Sequence, residues 1–344
     1  MRQFANRFFS DIIGLVFFLS SILKLMDPTG TGLIVDSYLS NWNLDFLRPA
    51  STLLGECLSV TEAVISIALF TGVFRRFFAW LTTALILFFT GISVWLVSAD
   101  PQMSCGCFGE AVPLTHGQTL IKNIALLICC VPAFMPYRDF EKPKKHRVVA
   151  FCAGIAAMLY FAVYSLLNVP LVDFTEFAPS HTIVSDNSSY ESDWEYPVLP
   201  VWDEWGDDAS DAVLDGDVVV LSFYDALSLK QAGITKAASF AQDALNAGYN
   251  VCVLSTEMVD IPGVDCYISD YKKIITLNRT NGGATLLHDG YIIGKTSPVS
   301  YLSFEDMEEL TSKDAAEAYV KAATQRSLIL QGFMLLFLAI LIIV

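Results

Sequence analysis

Apolar positions in this chain gather into long unbroken runs. Five lie in the first half: Phe8–Met26, Ser51–Val73, Phe77–Ser98, Thr119–Tyr137 and Val148–Val169. Runs of about 17–25 residues match the roughly 30 Å of hydrocarbon that a helix must cross, so each predicts a membrane span. A sixth run, Ser327–Val344, ends the chain. The first run also reads as a signal anchor. It is longer than the apolar core of a cleavable signal peptide, lacks an A-x-A-like site and ends in Lys24-Leu25-Met26-Asp27-Pro28.

Between the fifth and sixth runs the pattern changes. Leu171–Trp205 is rich in Pro, Ser, Asp and Trp without a period, and predicts an irregular connector. Asp217–Tyr224 and Asn250–Ser255 are short apolar runs that read as buried strands. Leu229–Ala247 has helical spacing through Ala232, Ala237, Phe240, Ala244 and Ala247, and Gly248 ends it. Ala284–His288 and Tyr291–Lys295 flank Asp289-Gly290, a hairpin signal. Phe304–Ala323 predicts a helix leading into the last span. Strand, helix, strand and hairpin in this order resemble a thioredoxin-like domain in architecture. Two functional marks of such a domain are missing. No C-x-x-C follows the first strand, where Tyr224–Lys230 stands, and Gly282-Gly283 replaces the proline that usually precedes the third strand. A binding or docking role therefore suits this domain better than a redox role.

Composition sharpens this reading. Of 344 residues, 54% are hydrophobic and 17% charged, with mean hydropathy +0.50. A soluble domain is nearer 45–50% apolar and about 25% charged. A disordered chain is excluded, and a purely soluble enzyme is disfavoured. With 36 acidic and 21 basic residues the net charge is −15, which argues against a nucleic-acid surface. The charge is uneven: Met1–Pro170 holds 10 Asp/Glu and 12 Lys/Arg, the remainder 26 and 9.

Basic residues in short loops set the expected orientation. Arg2, Arg7, Arg75, Arg76, Arg138, Lys142, Lys144, Lys145 and Arg147 fall on one side. The opposite loops hold only Arg48, with Lys24 and Lys122 at helix ends. The first set belongs in the cytoplasm, so the loops Asp27–Ala50 and Ala99–Gln118 and the acidic segment face outward. The expected fold is a polytopic α-helical bundle with an extracytoplasmic α/β thioredoxin-like domain, in a bacterial cytoplasmic membrane. Its parts are a four-span bundle (1–140), a fifth helix (141–170), an exported acidic domain (171–325) and a terminal span (326–344).

The stretch Ser104-Cys105-Gly106-Cys107-Phe108-Gly109-Glu110 carries the clearest chemistry. Two cysteines one residue apart can meet the 4.4–6.8 Å Cα separation of a disulfide, and strained, exposed disulfides exchange readily. A redox pair, a static disulfide and two inert thiols all remain open. A metal site would need further ligands, and only His116 is close in sequence, so none is assigned. Lys24, Glu56, Cys57, Lys122 and Asn123 fall at a similar depth. A lysine beside Cys105 or Cys107 would favour the thiolate. Snorkelling to the headgroups is the alternative for Lys24 and Lys122. Glu62 lies roughly 16 Å into the second span by helical rise. It either accepts protons or makes a structural hydrogen bond between helices. Cys105, Cys107, Glu62 and Lys24 are the residues assigned to chemistry. Cys129, Cys130 and Cys152 read as packing residues. Cys252 and Cys266 are open to a disulfide, and Cys252 equally to a buried strand position.

The first 140 residues resemble the DoxX-type and MauE-type membrane proteins. The pieces that carry this are Gly14-Leu15-Val16-Phe17-Phe18-Leu19-Ser20, Lys24-Leu25-Met26-Asp27-Pro28, Thr61-Glu62 and Cys105-Gly106-Cys107-Phe108-Gly109. Leu171-Val172-Asp173-Phe174 is similar to the branch that fuses this bundle to an extra span and an exported thioredoxin-like domain. Ser104 departs from that branch, where an acidic residue is common. The resemblance implies thiol–disulfide or electron transfer supporting the maturation of exported proteins through the Cys-x-Cys pair. It implies an exported client or redox partner beside the lipid bilayer, and it admits a quinone as cofactor, whose identity the residues do not give. A non-catalytic assembly or binding factor with a degenerate thioredoxin-like domain is the alternative, and a small-molecule transporter a weaker one, since no inverted repeat is visible.

Overall fold

A computed structural model describes residues 2–135, 143–185, 196–225, 231–311 and 313–343. The chain divides into two compact units, Met1–Leu166 with Gln331–Val344, and Leu167–Leu330. Arg138 and Lys142, counted above for orientation, lie outside the described residues, as do residues 226–230 after the first strand of the second unit.

The first unit is helical. Its elements are α1 (Arg2–Met26), α2 (Pro28–Asn41), a 3₁₀ turn (Asp45–Ala50), α3 (Ser51–Thr71), α4 (Arg75–Ala99), the short strand β1 (Cys107–Glu110), α5 (His116–Phe134) and α6 (Lys145–Leu167). Among the described residues, five helices are long and apolar enough to cross a membrane, at the five predicted places. Their outward faces carry exposed Trp80, Leu87, Ile121, Ile128, Val149 and Val163, which suits lipid and not water. The sixth run lies in a longer helix, α11 (Ala315–Ile343). Its Phe337 meets Phe18 edge-on at 6.0 Å, and Phe333 meets Phe161 at 4.8 Å, so this segment packs into the bundle.

Residues Asp27–Ala50, expected as a loop, fold instead into α2 and the 3₁₀ turn. Asp27 caps α2 by accepting the Gly30 N–H at 2.8 Å, and Pro28 occupies the first turn, where its fixed φ suits a helix start. Within the bundle α1 packs against α3 and α5, α2 against α3, and α4 against α5.

The second unit holds a five-stranded sheet. After α7 (Asp211–Leu214) come β2 (Asp217–Phe223), α8 (Gln231–Asn246), β3 (Asn250–Ser255), β4 (Asp265–Ile268), α9 (Tyr271–Leu277), β5 (Gly283–His288), β6 (Tyr291–Thr296), α10 (Phe304–Thr311) and the start of α11. The order is β4-β3-β2-β5-β6, with β2, β3 and β4 parallel and the β5–β6 hairpin antiparallel. β2 is apolar from Val218 to Leu221 because both of its faces are covered. Val219, Leu221 and Phe223 pack under α8, while Val218 and Val220 face Phe177, Leu199, Val201, Val213 and Ile274. The connector thus supplies part of one core, through Phe177, Ile183, Leu199 and Val201.

Two structural questions from the sequence are resolved in this unit. The β3–β4 register pairs Cys252 with Asp265 and Val253 with Cys266, so the two cysteines point to opposite faces of the sheet. Each joins a different core, and both are free thiols. A disulfide between them is ruled out. The glycines that replace the expected proline also have a reason. Asn278 is fully buried and donates to the Ala284 and Thr296 carbonyls. A Cβ on Gly283 would sit 2.4 Å from the Asn278 Oδ1.

Asp173, in the Leu171-Val172-Asp173-Phe174 stretch, accepts the Lys295 ammonium at 2.6 Å and the Thr175 N–H at 3.0 Å. Both partners of the ion pair are nearly inaccessible, at 1% and 4% exposure. This pins the connector to β6. Lys295→Met leaves Asp173 buried without its counter-charge, a cost of about 3–5 kcal/mol. Thermal unfolding of the full-length protein in detergent, followed by circular dichroism, should show a lower midpoint for this unit; an unchanged midpoint would contradict the pair's role.

Candidate functional site

Lys24 lies in the last turn of α1, which Asp27 and Pro28 bring to an end. Its ammonium donates to Glu62 Oε1 at 2.7 Å, with the two side chains 5% and 2% exposed. Taking two charges out of water is costly, and close contact is what offsets it. Lys24 therefore does not snorkel. The Phe89 ring centroid lies 5.7 Å from the same ammonium, a further stabilising contact for a cation.

One turn earlier on the same helix face, Ser20 Oγ stands 2.7 Å from Glu62 Oε2 and 2.7 Å from the Cys107 carbonyl oxygen. On the other side of the loop, the Tyr38 hydroxyl donates to the Cys105 carbonyl at 3.0 Å. The Cys-Gly-Cys backbone is thus held from α1 and from α2. Gly106 makes this seat geometrically feasible. Its φ is +67°, and a Cβ there would come within 2.6 Å of Ile34 Cγ2. Both constraints exclude a side chain.

Beneath the loop is a cavity of about 200 Å³. Ile34, Val35, Leu58, Phe88, Phe89 and Leu96 form its apolar walls. Lys24, Glu62, Lys122, Asn123, Thr119 and the two cysteines supply its polar groups. Asn123 is fixed by donating to Ser93 Oγ at 2.7 Å and to the Phe89 carbonyl at 3.2 Å. Lys122 lies over the Phe108 ring at 5.0 Å. Tyr38, Trp42 and Trp95 form an aromatic cluster near the rim, with centroids 5.5–6.2 Å apart.

All four residues assigned to chemistry, Lys24, Glu62, Cys105 and Cys107, line this one cavity, and Lys122 and Asn123 join them. Glu56 and Cys57 do not. Glu56 is buried with no hydrogen-bond partner for its carboxylate among the described residues, and Cys57 is exposed. His116 contacts Asp100 Oδ1 and the Met103 carbonyl, each at 3.1 Å. Among the described residues no His, Cys, Asp or Glu cluster could hold a metal ion. Sequence reasoning missed Ser20 and Tyr38. The spacing of four between Ser20 and Lys24 was the available signal, since such residues share a helix face.

The two sulfurs are chemically unequal. Both are thiols, partly buried. The Cys107 side chain hydrogen-bonds to Cys105, and that bond, helped by the Lys122 charge and opposed by burial, pulls the Cys105 pKa down to about 5. The same bond and its own burial push Cys107 up. These effects favour Cys105 as the sulfur of the pair that ionises first. A thiolate is the nucleophile in exchange, and a low-pKa sulfur also leaves readily.

This asymmetry sets a pH dependence. Cys105 stays ionised above its depressed pKa, so its alkylation should persist through neutral pH and be lost as pH falls through about 5. Cys107→Ala removes the donor and should move that midpoint upward, toward an ordinary thiol. Peptide-resolved alkylation of the reduced protein reads both, and an unmoved midpoint would refute the assignment.

Neither a curated protein nor a solved structure matches the chain. Residues 2–136 match the family model described as Methylamine utilisation protein MauE. That stretch holds the first four spans, the Lys24–Glu62 pair and the Cys105–Gly106–Cys107 loop. The chain is a multi-pass membrane protein whose residues 2–136 are similar to the MauE family.

Proposed function

We propose that the bundle is a membrane thiol–disulfide exchange device for exported proteins, with Cys105 and Cys107 as its redox pair. The observation that carries this reading is the seated Cys-Gly-Cys loop, whose thiolate and thiol lie over a cavity that also holds Lys24, Glu62 and Lys122. In the oxidising direction, a client thiolate attacks the Cys105–Cys107 disulfide and forms a mixed disulfide. The second client thiol then resolves it. The client gains a disulfide, and the pair is left as thiolate and thiol. Re-oxidation passes two electrons and the matching protons to an acceptor. A quinone, reduced to its hydroquinone, is the class that the resemblance admits, and the apolar cavity walls suit it. Lys24 and Glu62 handle protons beside the pair.

The distribution of basic residues supports a bacterial cytoplasmic membrane, with the Cys105 loop and the acidic unit on the extracytoplasmic face. The parallel β2–β3 pair with α8 between them, followed by the β5–β6 hairpin, supports a thioredoxin-like reading of that unit. The Asn278 corner favours docking over redox chemistry there, because it fills the place next to the usual redox centre. A second reading makes the whole protein a non-catalytic assembly factor whose acidic unit binds the partner.

Trapping separates the two. Cys105→Ser and Cys107→Ser each leave one cysteine that cannot be resolved by its neighbour. Each should accumulate reductant-sensitive adducts with exported proteins in membranes. Absence of adducts from both variants would remove the exchange reading and leave the assembly reading.

A further inference from the structure

Thr119 stands at the start of α5 and is 1% exposed. It lines the cavity under the cysteine loop, yet its hydroxyl has no hydrogen-bond partner among the described residues. Other hydroxyls in these helices are treated differently. Ser59, Thr61, Thr71, Thr83, Thr90 and Ser93 each donate to the carbonyl four residues back, the ordinary retreat for such a group in a helix. Leaving a buried hydroxyl unpaired is unfavourable. Its partner is therefore to be sought in another state of the site.

That partner is the Cys105 sulfur. The Thr119 side chain favours a negative charge on Cys105, whereas Lys122, three residues on along the same helix, bears on both sulfurs. In the dithiol the two cysteines also differ through their mutual hydrogen bond. Once they are joined as a disulfide that bond is gone, and Lys122 does not tell them apart. Thr119 still does. We propose that the Thr119 hydroxyl is a catalytic donor that makes Cys105 the leaving sulfur, so that an incoming thiolate becomes bonded to Cys107. This rests on the pair being the redox element, and it adds which of the two sulfurs meets the client.

The step balances without a further reactant. A bond forms between the client sulfur and Cys107, the Cys105–Cys107 bond breaks, and its electron pair stays on Cys105. Negative charge passes from the client to Cys105, and no proton is transferred. The Thr119 hydroxyl then donates to the new thiolate. A donor already in place where charge develops needs little reorganisation at the moment of reaction, and a better stabilised thiolate leaves faster. Cys107 cannot give this help, because its sulfur is bonded to the client and carries no hydrogen.

The test uses oxidised full-length protein in membranes, with glutathione as the incoming thiol. After brief exposure the sample is quenched in acid and alkylated with N-ethylmaleimide, and fragment mass spectra place each label. The parent should carry glutathione on Cys107 and maleimide on Cys105. Thr119→Val keeps the side-chain shape without the hydroxyl, and should lower the ratio of Cys107 to Cys105 adducts about threefold or more, the effect of one hydrogen bond. Thr119→Ser keeps the hydroxyl and should keep the ratio. Departure is measured separately on Cys107→Ser and Cys105→Ser, each loaded with glutathione on its remaining cysteine and reduced with dithiothreitol. Adding Thr119→Val should slow release from Cys105 about threefold and leave release from Cys107 unchanged, whereas a merely loosened loop would alter both. An even split or an excess on Cys105 in the parent, or a Thr119→Val effect that is absent or equal at the two cysteines, overturns the proposal. If Thr119→Val does not accumulate, Thr119→Ala and the parent's own adduct position decide. Exported-protein adducts on Cys105→Ser or Cys107→Ser with an unmoved ratio would overturn the role of Thr119 and keep the exchange. The expected ratio without such adducts would support the role of Thr119 and remove the exchange.

Discussion

The Lys24–Glu62 ion pair is the interaction on which the bundle's polar centre depends. Each charge alone would cost several kcal/mol to bury in a low-dielectric interior. Their contact at 2.7 Å draws α1 against α3 at the level of the Cys105 loop. Everything polar in the cavity is arranged around that point. Ser20 reaches the free oxygen of the same carboxylate, the loop hangs from Ser20, and Asn123 on α5 is fixed to α4 through Ser93. Without the pair, the apolar faces of these helices could still pack, but nothing would select the one rotation that brings Ser20 beneath Cys107.

The loop converts a symmetric sequence into an asymmetric device. Cys-Gly-Cys reads the same in both directions. The structure nonetheless treats the two sulfurs differently: their mutual contact favours ionisation of the first and opposes it in the second, while the Lys122 charge acts on both. The second unit shows the opposite treatment of the same residue type. Cys252 and Cys266 are only one register step apart on neighbouring strands, yet the pleat sends them to separate cores. Proximity along a ladder brings two thiols together only when the two-residue period agrees.

Much of this was legible in the sequence, and the misses have physical causes. The spans were visible because lipid demands length and apolarity together. α2 was not, because Gly30, Thr31 and Gly32 dilute its apolar period, and its start is marked only by Asp27 and Pro28. β4 and α9 have 4 and 7 residues, too short for periodicity to speak. Lys24 and Glu62 stood out as ionisable groups in apolar runs. Their pairing did not, since it spans 38 positions and depends on the rotation of two helices. The spacing of Cys105 and Cys107 was plain, whereas their inequality comes from how the folded loop sets one sulfur against the other and could only be seen in three dimensions. The Asp289-Gly290 hairpin was the opposite case, a turn whose backbone chemistry is local and complete in two letters.

The missing side chain at Gly106 has a mechanical consequence. The Ile34 methyl group fills the space that a Cβ would take, so the peptide between the sulfurs rests directly on α2, with no compressible layer between them. Any tilt or slide of that short helix must displace the sulfurs or be resisted by them. In this geometry α2 and the Cys105–Gly106–Cys107 loop behave as one mechanical piece.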